Sequence, residues 1–201
     1  MNFISQTVTT PTIVQSLADV DVRPKDIVCG DNYSAIISLE RKLLVCGQID
    51  GGKLGLGRSI STGQMIHFKE ISSLSDVKQV SCGPNHMLAI VKSKGLPSRV
   101  YAWGRNFSGQ LGLNSRKDHF SPKEVKRLSE KNIIKVQCGF DFSVALEGGQ
   151  SGRIWIWGNY KFACDRSLTA DLLEPYDKSE GLTRQSFSNI YCHYFYCIGE
   201  T

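Results

Sequence analysis

"YAWGRNFSGQLGL", Tyr101 to Leu113, opens with alternating apolar residues, passes through a Trp-Gly pair and a polar turn, and closes on Leu-Gly-Leu. Glycines this dense serve either a phosphate cradle or a backbone that must turn sharply several times. Internal similarity decides between the two, because a period of tens of residues changes the whole fold assignment. The stretch "IVCGDNYSAIISLERKLLVCGQIDGGKLGLG" (Ile27 to Gly57) lies over "VSCGPNHMLAIVKSKGLPSRVYAWGRNFSGQLGLN" (Val80 to Asn114), and both lie over "VQCGFDFSVALEGGQSGRIWIWGNY" (Val136 to Tyr160).

The first recurring column is Cys29, Cys82, Cys138 and Cys192, at spacings of 53, 56 and 54. Gly30, Gly83 and Gly139 follow directly, with His193 in the fourth copy. Three residues on stand the rings of Tyr33, His86, Phe142 and Tyr196, and each full copy later reaches a glycine: Cys46-Gly47, Trp103-Gly104, Trp157-Gly158. Apolar stretches such as "PTIV", "SPKEV" and "LLEPY" precede the cysteines. The apolar runs are short, rich in Val, Ile and aromatics, and bounded by Gly, Asn, Asp or Ser, which predicts strands of an antiparallel meander. A unit of about 55 residues with about four short strands is a propeller blade, stable only when stacked on its neighbours. The glycines therefore serve geometry: Gly104 lets the chain leave a strand beside Trp103, Gly109 takes a positive φ, and Gly112 allows close approach of packed groups.

With "CGxNHxxAI…VYAWGRNFSGQLGL" aligned, the sequence resembles the RCC1-like repeat family, the regulator-of-chromosome-condensation propellers, over about residues 11 to 201. The resemblance implies an all-β propeller of about three and a half four-stranded blades in an incomplete ring. A tail, 1–10, precedes a repeat domain, 11–201, with units at about 11–63, 64–117 and 118–171 and a partial unit at 172–201. It further implies a non-catalytic protein-binding module; the alternative is a guanine-nucleotide exchange factor for a Ran-like or other small GTPase. In the third copy the Gly-Gln-Leu-Gly segment is missing, and Gly158 to Pro175 reads either as a drifted repeat or as a wedge toward a GTPase carried by Tyr160, Lys161, Asp165 and Arg166. An open ring leaves unpaired strand edges, so further blades or a partner are expected to close it, the chain being a fragment, a truncated isoform or a partner-dependent product.

Composition narrows the classes. The 201 residues are 41% hydrophobic and 21% charged, with seven cysteines and a net charge of +5. Neither a secretory signal nor a run of about 18 apolar residues is present, so no membrane is expected, and the odd cysteine count points to a cytoplasmic or nuclear protein. Ser115 to Arg127 is the densest basic stretch, which leaves a weak chromatin or nucleic-acid contact open, although aromatics do not interleave with it. "DGGKLGLGRS" lacks the P-loop spacing because Leu54 follows Lys53. Cys192, His193 and Cys197 are near in sequence but occupy strand columns, so neither metal nor disulfide is expected, and no cofactor. His86 shares a column with rings, which calls for a planar group rather than a base, while His67 and His119 fall in the stretches linking units. Trp155 lies two positions before Trp157 and shares its face.

Overall fold

The protein is described from a computed structural model, covering residues 9–14, 17, 22–59, 63–149, 153–159 and 188–192, with 197–200 described as strand alone. Among the described residues thirteen strands follow in chain order: β1 (Pro24–Cys29), β2 (Tyr33–Ser38), β3 (Leu43–Gln48), β4 (Gln64–Glu70), β5 (Val77–Cys82), β6 (His86–Val91), β7 (Arg99–Gly104), β8 (His119–Glu124), β9 (Ile133–Cys138), β10 (Phe142–Glu147), β11 (Ile154–Gly158), β12 (Asn189–Cys192) and β13 (Cys197–Glu200). They form antiparallel meanders β1–β4, β5–β8, β9–β11 and β12–β13. These are the blades the repeat calls for. The third sheet has three strands among the described residues.

Each sheet is buried on both faces where it has neighbours. Ala35, Ile37 and Val45 of the first sheet meet Val77, Val80, Met87 and Trp103 of the second. Leu88, Ile90 and Ala102 on the second sheet's other face meet Val136, Ala145, Trp155 and Trp157 of the third. Val144, Leu146 and Ile156 then meet Ile190. The alternation of strand side chains thus supplies two apolar faces per sheet, and each inter-sheet core is built half from one blade and half from the next. Trp155 and Trp157 do share one face, as their spacing predicts.

The sheets are offset from the sequence units. β4 lies at the head of the second unit but pairs with β3, and β8 lies at the head of the third but pairs with β7. Consequently His67 and His119 sit in outer strands rather than in links. "PTIV" at the head of the first unit forms no strand, and Ile13 and Val14 are exposed. The repeat fixes the period of the chain; hydrogen bonding decides which strands share a sheet.

Candidate functional site

In an antiparallel meander the first and third turns lie at one end. That end carries the β1–β2 type turns at Gly30, Gly83 and Gly139 and the β3–β4 type loops at 49–63 and 105–118. At each junction there the ring after Cys-Gly swings back over its own glycine: a methyl on Gly30 would lie 2.2 Å from Tyr33 Cε1, on Gly83 2.7 Å from His86 Cε1, and on Gly139 2.1 Å from Phe142 Cε1. This is why glycine fills the column. The Tyr33 hydroxyl and His86 Nε2 reach the next blade. Tyr33 donates its hydroxyl to Gly83 O at 2.7 Å and His86 O at 3.0 Å. His86 Nε2 meets Ser143 Oγ at 2.9 Å, and that hydroxyl donates onward to Gln110 O at 2.7 Å.

The Gly-rich loops form the second set of links. Trp103 Nε1 donates to Lys53 O at 3.0 Å, and Trp157 Nε1 donates to Gln110 O at 2.8 Å, so each loop's carbonyl receives the indole of the following blade. Gly55 and Gly112 admit those indoles: a methyl there would lie 2.7 Å and 2.9 Å from the respective Nε1. Cys46 holds the equivalent place in β3, opposite Ser34, so a thiol leaves the register intact but carries no indole. Asn106 organises the second loop, accepting Leu111 N–H at 2.9 Å and donating to Ser115 O at 2.7 Å, while Asp118 accepts the Asn106 N–H at 2.8 Å. Lys53, where a P-loop would hold phosphate, is buried and donates to Asp31 O at 3.0 Å and Gln48 Oε1 at 3.2 Å. Burial pulls its ammonium below the ordinary value.

A half-open hollow of about 230 Å³ runs along the inner strands at this end, lined by the three Cys-Gly pairs with Asp31, Pro84 and Cys192. Two of its thiols, Cys82 and Cys138, are poor nucleophiles. Burial pushes Cys138 up to about 12 and Cys82 well above the ordinary thiol value. Cys138 Sγ donates to Ser81 O at 3.2 Å. Cys29, Cys46, Cys82 and Cys138 are free, but Cys192, opposite Cys197 in its ladder, is disulfide-bonded, contrary to the expectation of no disulfide. No group of three potential ligands capable of holding a metal occurs among the described residues. His86 is fully buried, and burial holds it down at about 4, so it is a neutral planar ring and not a base.

What this end offers to other molecules is surface. Phe107 on the second loop is 53% exposed and Phe140 in the β9–β10 turn is 37% exposed, with Arg105 exposed beside them in sequence order on the same loop as Phe107. Tyr160, Lys161, Asp165 and Arg166 lie outside the described residues. The chain leaves β11 toward them from this same end, Asn159 N–H donating to Asp141 O at 2.8 Å. The basic stretch from Ser115 is spread over a loop, β8 and a single 3-10 turn at Lys126–Leu128 on the opposite end, rather than gathered on one face.

The "Regulator of chromosome condensation (RCC1) repeat" family matches over residues 98–146, and a second model of the same description matches over 77–110. The chain belongs to the RCC1-like repeat family. It is 30% identical over 138 residues to the mouse serine/threonine-protein kinase Nek9, covering 68% of this chain and 13% of that protein. To the human probable E3 ubiquitin-protein ligase HERC6 it is 34% identical over 130 residues, covering 64% of this chain and 12% of that protein. The RCC1-like chain therefore spans about an eighth of these relatives. Yeast RCC1 (Prp20), solved bound to Kap60, superimposes with a TM-score of 0.72 at 15% identity, over 88% of this chain and 42% of that one. Prp20p from Saccharomyces cerevisiae, in a study of its binding to Gsp1p and histones, gives 0.64 at 16% identity over 78% and 39%. These likenesses carry the propeller fold, here as an unclosed ring.

Proposed function

We propose that this chain is a non-catalytic protein-binding module that presents the loop end of its blades to a partner protein. One observation carries the reading: the Tyr33 hydroxyl, His86 Nε2, the Ser143 hydroxyl and the two indole N–H groups at this end are engaged in bonds between blades. Phe107, Phe140 and Arg105, exposed at this end, suit a protein surface, since aromatic and Arg side chains dominate binding energy at interfaces. Acid-base chemistry needs a titratable group tuned near neutrality in a cleft, and buried His86 is the wrong candidate. The kinase and ligase relatives share only a small part of their length with this chain, which is consistent with a module reused beside other domains.

A photoreactive residue placed at Phe107, compared with one at Leu96 at the opposite end, tests the reading. Cross-linked adducts in native extract are expected from position 107 alone; equal or reversed yields would rule the loop end out. A second reading, nucleotide exchange on a small GTPase, draws support from Prp20p, which was studied for its binding to Gsp1p. Exchange would proceed by differential binding to the nucleotide-free GTPase, with residues Tyr160, Lys161, Asp165 and Arg166 as the candidate wedge. Acceleration of fluorescent-nucleotide release from any member of a small-GTPase panel, lost on joint substitution of Lys161, Asp165 and Arg166, would establish it over the first.

A further inference from the structure

The outer rim between the first two sheets carries a feature the binding reading does not use. In the β7–β8 ladder Gly104 pairs with His119 and Ala102 with Lys123, so Phe120, Ser121 and Pro122 stand opposite the single residue Trp103 and bulge from the edge. Ser121 is exposed there, and proline follows it. Cations approach it from two blades. The Arg58 guanidinium of the β3–β4 loop lies 4.9 Å from the Phe120 ring centroid. Its position is fixed by Gly57, whose N–H donates to Phe120 O at 2.8 Å and whose Cβ direction points at Ser121 Oγ, 4.0 Å from a methyl placed there. His119 and Lys123 flank the serine two residues away on either side.

The neighbouring acids each hold a hydrogen-bond donor while keeping their charge, and Asp118 also acts on His119. Asp118 accepts the Asn106 N–H at 2.8 Å, and Glu124 accepts the Ser129 hydroxyl at 3.0 Å. His119 is held below its ordinary value first by burial and then by Lys123, with Asp118 pulling the other way and Arg58 adding a smaller push in the same direction as Lys123.

We propose that Ser121 is a phosphorylation site for a proline-directed protein kinase, its phosphate held by Arg58, Lys123 and His119 so that the β3–β4 loop of the first sheet is clamped to the outer strand of the second. In the transfer Ser121 Oγ forms a bond to the γ-phosphorus of a nucleoside triphosphate, the bond from that phosphorus to the bridging β–γ oxygen breaks, the nucleoside diphosphate leaves, and the hydroxyl proton passes to a carboxylate of the kinase. The product carries about −1.5 to −2 charge at neutral pH and three acceptor oxygens, which Arg58, Lys123 and His119 on two blades can meet. A bulged edge residue also meets the kinase's need for an extended, accessible hydroxyl. Thr10-Pro11 is the other hydroxyl-proline pair in the chain, and no Lys or Arg precedes Arg23, so it supplies an internal control with no neighbouring Lys or Arg in sequence.

The test uses the full folded chain in two arms. Incubation with a purified proline-directed kinase and ATP, mapped by mass spectrometry, is expected to place phosphate on Ser121. Phosphoserine installed at 121 during synthesis is then titrated by ³¹P NMR. Its second ionisation is expected at least half a pH unit below that of the same chain in urea, and the joint substitution Arg58→Gln, Lys123→Gln is expected to abolish the difference. Modification confined to Thr10, or a phosphoserine that titrates alike in folded and urea-unfolded chains, would overturn the proposal.

Discussion

His86 illustrates how a titratable residue becomes a packing element. Its ring fills the space over Gly83, one nitrogen meets Ser143, and Nδ1 is buried without a partner. Folding therefore demands the neutral form. With a value of about 4 folded against 6.5 unfolded, the unfolded chain binds the extra proton between those limits. His86 thus adds no acid penalty above pH 6.5, and stability is lost as pH falls from there toward 4, by about 3 kcal/mol in all. His86→Phe, which adopts the Phe142 solution, is expected to cut the stability lost between pH 7 and 4.5 by about 2–3 kcal/mol in urea titrations. Equal pH dependence in the two proteins would refute the assignment. Gly104 is constrained by backbone instead: φ is +106°, and a methyl would lie 2.4 Å from Asn85 O. Gly104→Ala is expected to cost at least about 2 kcal/mol, read as a lowered thermal midpoint.

At the scale of strands, the blades are joined by side chains of one sheet bonded to backbone of another. Gln79 of β5 donates to Val136 O at 3.0 Å and accepts Val136 N–H at 2.9 Å, so one amide bridges two inner strands. Gln79→Ala would leave both backbone groups of Val136 unpaired, and a loss of about 2 kcal/mol or more is expected by chemical denaturation. Such a link was not legible in the sequence. Its column holds Asp26 and Lys135 in the neighbouring copies; Asp26 turns back to Ile27 N–H, whereas Lys135 reaches Asn189 Oδ1 at 2.6 Å. The Cys-Gly and Trp-Gly landmarks were legible because a close approach between blades tolerates few residue types, so the same ones return at fixed spacing. The acceptors of the indoles were not, since a carbonyl belongs to every residue and Lys53 and Gln110 share nothing else. Nor was the offset of the sheets from the repeat, because periodicity is blind to which strand pairs with which.

Across the whole molecule, position around the ring sets the value of equivalent residues. Val80 and Val136, two places before their cysteines, are 3% and 0% exposed, yet Ile27 in the same column is 59% exposed because the first described sheet has a neighbour on one side only. Val80→Ala is expected to destabilise by about 1–3 kcal/mol and Ile27→Ala by less than about 0.5 kcal/mol, a contrast that identical losses would contradict. The phosphorylation proposed at Ser121 acts on one such junction, and the loop-end surface spans several. Both depend on the blades being interlocked through the indole-to-carbonyl bonds. Hydrogen exchange of the Trp indole N–H groups, followed by NMR, tests that interlock most directly. The N–H groups of Trp103 and Trp157 are expected to exchange only through global unfolding, tracking the denaturation free energy. Exchange within minutes under native conditions, as for an indole open to solvent, would contradict the stacked-blade account.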